Sequence, residues 1–171
     1  YGAHGTPYPG LTAMNNEGVS FALHQKFTDK LNTGGTPIFE LAYQFMNEVG
    51  DKKSAIEFLN SNQTLTAWAF NIGFKNGEVL TADLVGDELY YREHQLAPGK
   101  VIYVNNKLED PKSTQEDYFP YGFNEYNNLR EEVALEKIEL LKDKKLNEAV
   151  VLEMMSLPLD SKKTKQLRPD P

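Results

Sequence analysis

Three turn signals at short, regular intervals constrain this chain more than any other feature of it. Asn76-Gly77, Gly86-Asp87 and Pro98-Gly99 punctuate the segment from Leu65 to Val104, and each pair suits the tight reversal of a hairpin. β-prone runs lie between them, so the segment is expected to form a four-stranded antiparallel meander. In its first strand Trp68, Phe70, Ile72 and Phe74 share one face, while Ala67, Ala69, Asn71 and Gly73 share the other, because side chains alternate along a strand. A sheet with one face in water would alternate apolar with charged residues. Large side chains on one side and small ones on the other therefore predict a sheet covered on both faces. Leu80, Ala82 and Leu84 against Val79 and Val85 follow the same rule in part, as do Ile102 and Val104 against Val101 and Tyr103.

The segments before and after the meander say what lies on it. From Pro9 to Lys26 two apolar runs flank Asn15-Asn16-Glu17-Gly18, which reads as a β-hairpin. Its second run places Val19, Phe21, Leu23 and Gln25 on one face and Ser20, Ala22, His24 and Lys26 on the other, so a polar group ends each face. Thr36-Pro37 is expected to cap and start a helix whose stripe is Ile38, Leu41, Ala42 and Phe45. Gly50 stops it, and Asp51 caps a second helix carrying Ala55, Ile56, Phe58 and Leu59. Such a pair is stable only on an apolar surface, and the meander is that surface.

From Asp110 to Asn128 the composition turns to Pro, Ser, Asn and aromatic residues. Tyr118, Phe119, Tyr121, Phe123 and Tyr126 either line a pocket for an apolar ligand or pin a long connection to the core. Helices are expected again from about Asn128, with Ala134, Leu135, Ile138 and Leu141 on one stripe, and then from Leu146 to Met155. The fold class is α+β, in one domain spanning residues 1–158 with a polar tail over 159–171.

Charge and composition exclude several functions. A net charge of −7 repels nucleic acid and anionic membranes, and Lys162, Lys163, Lys165 and Arg168 read as a solvated terminus. No apolar run reaches the roughly 20 residues of a membrane helix. The chain has no cysteine, hence no disulfide, thiolate nucleophile or Cys-ligated metal of its own. His4, His24 and His94 show no metal-ligand spacing, and Gly34-Gly35 stands in no phosphate-binding motif. No metal and no cofactor is expected.

Three segments in order resemble one family. The opening stretch Gly10-Leu11-Thr12-Ala13-Met14-Asn15-Asn16-Glu17-Gly18-Val19 is similar to a G-L-T-G-M-N-E-x-G-L hairpin, Val104-Asn105-Asn106-Lys107 stands where that family reads T-N-H-F, and Asn128-Leu129-Arg130 stands where it has Ser-x-x-Arg. The family is the cysteine Ntn-hydrolases related to acyl-coenzyme A:6-aminopenicillanic acid acyltransferase and, more distantly, choloylglycine hydrolase. The resemblance implies an αββα sandwich and cleavage or transfer at linear amide C–N bonds. In it an N-terminal cysteine attacks the carbonyl with its own α-amino group as base, and polar side chains hold the oxyanion.

Carried over residue by residue, Asn105 would donate to the oxyanion, Arg130 would orient neighbouring polar groups, and His24 or Gln25 falls where relatives place an oxyanion-hole asparagine. Tyr118, Phe119, Tyr121 and Phe123 are the candidate substrate-binding residues. The departures are equally definite: Asn106 and Lys107 replace His and Phe, no Ser precedes Arg130 at the expected spacing, and no cysteine is present. On this reading the chain is the segment without the nucleophile strand and is inactive alone. Its expected partners are a small-molecule amide or acyl substrate and either a second copy of the chain or the nucleophile-bearing segment, with no nucleic acid and no membrane. The alternative is a non-catalytic ligand-binding or structural α+β module.

Overall fold

A computed structural model of the chain describes residues 10–104 and 123–155. They fall into two compact units, residues 10–96 and residues 97–104 with 123–155. The first contains β1 (Thr12–Met14), β2 (Ser20–Gln25), α1 (Ile38–Glu48), α2 (Lys52–Ser61), β3 (Ala67–Gly73), β4 (Glu78–Val85) and β5 (Glu88–Gln95); the second contains α3 (Phe123–Leu141) and α4 (Glu148–Met155). The class is α+β. All five strands form one antiparallel sheet in the order β1-β2-β3-β4-β5.

Hairpins form at Asn76-Gly77 and Gly86-Asp87, but not at Pro98-Gly99, after which no strand follows. Gly77 and Gly86 both take positive φ, +81° and +65°, a region open to glycine and costly for residues with a Cβ. At the first hairpin Asn15 does more than turn the chain. Its Oδ1 accepts from the backbone N–H groups of Glu17 and Val19, and its Nδ2 donates to the carbonyls of Met46 and Val49 at 3.1 and 2.8 Å. One side chain thus closes the turn and satisfies carbonyls at the end of α1, which have no partner within the helix.

Both helices pack their apolar stripes on one face of the sheet. Phe45 of α1 meets Phe21 of β2, Phe58 of α2 and Phe70 of β3 at ring-centroid distances of 5.9, 5.4 and 6.0 Å. Leu41, Ala42, Ala55, Leu59, Ile72, Leu80 and Leu84 complete the core. Asp51 caps α2 as expected, in a reciprocal box with Ser54. Thr36 does not cap α1: the N-cap is Pro37, with no side-chain bond. The backbone of Thr36 instead forms a parallel bridge with Thr64, which ties the start of α1 to the start of β3. Gly35 makes that approach possible, since a Cβ there would lie 2.2 Å from the Thr64 carbonyl oxygen.

Three further expectations fail. Residues 101–104 form no strand, and among the described residues β5 is an edge of the sheet. Val101, Ile102 and Tyr103 line a cavity with α3 and α4 instead, so their apolar character serves helices. α3 begins at Phe123, not near Asn128, which makes the last part of the aromatic-rich stretch helical. Leu135 is off the stripe and half exposed, whereas Val133 and Leu141 are buried. α3 and α4 are tied by Lys137, whose Nζ donates to the Glu153 carbonyl at 2.7 Å, and by Lys144 with the Glu153 carboxylate at 2.9 Å.

Candidate functional site

The sheet face turned away from α1 and α2 carries the chemistry. By register it presents Ser20, Ala22, His24 and Lys26 from the β2 side, Ala67, Ala69, Asn71 and Gly73 from β3, Val79, Thr81, Asp83 and Val85 from β4, and Glu88, Tyr90, Arg92 and His94 from β5. Its centre is buried although it is polar: Ala67, Ala69 and Asp83 are 0% exposed, Thr81 3% and Lys26 4%.

Lys26 and Asp83 form an ion pair at 2.9 Å. Lys26 follows β2, with its N–H bonded to the Ala67 carbonyl, and Asp83 lies on β4, two strands away. Two strand spacings are about 10 Å, so the lysine reaches the carboxylate only by lying across β3. The β3 residues beneath that path are Ala67 and Ala69, and larger side chains there would block it. Two charges taken out of water favour such a pairing.

Beside the pair, Thr81 Oγ1 and His94 Nε2 stand 3.1 Å apart. Asn71, the cross-strand partner of Thr81, has a buried Oδ1 that accepts no hydrogen bond among the described residues. His24 is the cross-strand partner of Ala69, one position from the charge pair. The face therefore gathers an ammonium, a carboxylate, a hydroxyl–imidazole couple and an amide. These are groups that can orient a carbonyl or move a proton.

A second polar group sits at the rim of the opposite face and has a different task. Lys52 at the start of α2 contacts Glu78 at 2.5 Å and Glu93 at 2.7 Å. The Glu78 and Glu93 carboxylates push its ammonium up to about 12, and Lys52 with Asn76 holds Glu78 below its ordinary value. The triad fastens a helix to two strands.

Of the residues singled out from the sequence, His24 lies on the polar face and Gln25, next along β2, points to the other face and is exposed. Arg130 belongs to α3 in the second unit. There it lines a cavity of about 400 Å3 with Ala134 and Ile138 of α3, Val151, Met154 and Met155 of α4, and residues 101–103. Asn105, Tyr118, Phe119 and Tyr121 lie outside the described residues, as does the expected proximity of Asn105 to His24 or Gln25. Phe123 opens α3. In the sequence Lys26 reads only as the polar end of a strand and His94 only as a histidine without metal-ligand spacing, and nothing singles out Thr81 or Asp83, although Asp83 itself was the available signal. An aspartate inside an apolar strand demands a cation or several donors.

Among the described residues no group of three or more His, Cys, Asp or Glu could hold a metal ion, and no helix is long and apolar enough to cross a membrane. No protein-family model matches this sequence, and no curated protein is significantly similar to it.

Proposed function

We propose that the chain is a segment of a hydrolase or acyltransferase of the cysteine Ntn class, acting on linear amide C–N bonds and built as part of an αββα sandwich. The observation that supports this reading is the asymmetry of the sheet. One face is closed by a helix pair, and the other is buried at its centre, where it carries Lys26, Asp83 and Thr81. An αββα architecture needs one such helix-covered face and one inner face that receives a second layer.

With no cysteine among its 171 residues, the chain would contribute positioning groups to a thiol carried elsewhere. The thiol sulfur would bond to the amide carbon as its proton passes to the α-amino group. The C–N bond would then break as the amine takes that proton, and water or an acceptor amine would release the acyl group. Asn105 would donate to the oxyanion and Arg130 would orient its neighbours.

The test is turnover of a panel of fluorogenic N-acyl amides by the chain alone and by the chain joined to the polypeptide encoded directly upstream. A cysteine in that polypeptide, amine release only by the joined protein, and a loss of about a hundredfold in Asn105→Ala are expected. A joined protein without a cysteine, or with one and no amine release, would overturn the reading.

A further inference from the structure

We propose that the cleft between the Pro98-Gly99 turn and the loop joining α3 to α4 binds a polyphosphate group, two or more linked phosphates, through the ammonium groups of Lys100, Lys142, Lys144 and Lys145. These lysines and Asp143 line a cleft of about 560 Å3, and all of its lining residues belong to the second unit. Lysines just past a helix C-terminus are expected for the helix dipole alone, and Lys142, Lys144 and Lys145 follow the end of α3. Lys100 is the residue that this account leaves out. It belongs to a separate segment and is placed by its own turn: the Lys100 N–H donates to the Ala97 carbonyl at 3.0 Å, and Gly99 takes a φ of +77°, as in a type II turn with proline and glycine at its centre. The Pro98-Gly99 turn, which starts no hairpin, thus brings a fourth lysine to the three at the helix end.

The state of the four lysines points to the ligand. Lys142 and Lys144 hold the Glu139 and Glu153 carboxylates in well-exposed pairs, which are weak and exchangeable. Among the described residues Lys100 and Lys145 hold no carboxylate. No arginine lines the cleft, so it lacks the planar fork that matches a carboxylate, whereas ammonium groups act as point charges that suit phosphate oxygens from several directions. Asp143 repels any anion there, so binding depends on the combined charge of the lysines and favours a ligand of high charge density. The chain as a whole carries −7, but charges beyond about 8 Å are largely screened at physiological ionic strength. A compact anion therefore responds to the lysines beside it.

None of these residues enters the amide-cleaving proposal, and the readout is binding without turnover, so either can fail while the other holds. Calorimetric titration of the full chain at low ionic strength should give affinity that rises from orthophosphate through pyrophosphate to tripolyphosphate, by about tenfold or more in all, and that falls as salt is added. Adenosine triphosphate separates the two sources of the group: binding tighter than tripolyphosphate identifies a nucleotide, and binding no tighter identifies the free polyphosphate. Lys100→Gln and Lys145→Gln, with helix content checked by circular dichroism, should each weaken tripolyphosphate about fivefold. Lys53→Gln, on α2 in the first unit and 84% exposed, should leave it within about twofold. Absence of tripolyphosphate binding at millimolar concentration would overturn the proposal. So would equal affinity for orthophosphate, tighter binding of hexaglutamate, binding to phosphatidylserine vesicles in preference to tripolyphosphate, or a loss in Lys53→Gln as large as in Lys100→Gln and Lys145→Gln. Should a variant not fold, the probe series on the unaltered chain decides the question.

Discussion

On the helix side of the sheet Phe21, Phe70, Ile72, Leu80 and Leu84 are buried against Leu41, Phe45, Phe58 and Leu59, carbon against carbon. On the other side Ala67, Ala69, Thr81 and Asp83 are buried just as completely, around a lysine that crosses β3. The first face gains free energy from the area it removes from water and tolerates exchange of one apolar shape for another of similar volume. The second gains little net energy from its charges, because desolvation offsets most of their attraction. What it acquires is a fixed placement of polar groups. Low tolerance for rearrangement on one side of a sheet, with ordinary packing on the other, is what a functional face built on a structural scaffold requires.

Four measurements would sharpen that contrast or break it. Phe70→Ala removes the ring that meets both Phe21 and Phe45 and should cost about 4 kcal/mol in urea unfolding; a loss under 1 kcal/mol would mean that the helix face is not the main core. Lys26→Met removes the cation at 2.9 Å from the Asp83 carboxylate and should cost about 3 kcal/mol, whereas Lys26→Met with Asp83→Leu should cost less than the single change. If the double variant is as unstable as the single one, the pair supports more than itself.

Ala69→Leu places a branched chain in the path of Lys26 and should cost about 2 kcal/mol, while Ala82→Val on the helix side should be felt less. Equal costs would remove the case for a lysine threaded over β3. The smallest effect concerns the helix layer at low pH. Backbone and side-chain bonds from Ser54 hold Asp51 below its ordinary 3.8, and Lys52 and Asn76 hold Glu78 below 4.5. A carboxyl depressed on folding adds stability above its unfolded value and loses it as pH falls through the folded one. Unfolding followed from pH 5 to pH 2 should therefore steepen below about pH 4.5, and Asp51→Asn and Glu78→Gln should each flatten the curve. An unchanged slope in both variants would remove the caps from the acid response.

Much of the scaffold is legible in the sequence because it depends on neighbours in the chain. Asn76-Gly77 and Gly86-Asp87 mark two hairpins, Asp51 marks the start of α2, and the large side chains of β3 mark the face that packs on the helices. The failures come where local pattern serves a distant surface. Val101, Ile102 and Tyr103 alternate like a strand, but strand formation needs a partner edge, and these half-buried residues line a cavity with α3 and α4. Thr36 has the chemistry of an N-cap, yet its backbone is committed to Thr64. The candidate site was legible only as separate polar residues: His24 at the end of a strand, and Asp83 inside one.

By itself, then, the sequence determined the periodicities, the turns and the composition, and with them an α+β chain which holds no thiol of its own. Only the tertiary structure decided that Lys26 belongs to Asp83, Thr81 to His94, and Asn15 to the end of α1. These partners are separated by 57, 13 and 31 or 34 residues. The physical reason is that a hydrogen bond or ion pair constrains two side chains at about 3 Å, whereas the rules of helix, strand and turn act over a few residues. The charge pair depends on strand order and register at once, and a slip of one residue would turn Asp83 toward the helices and away from its lysine.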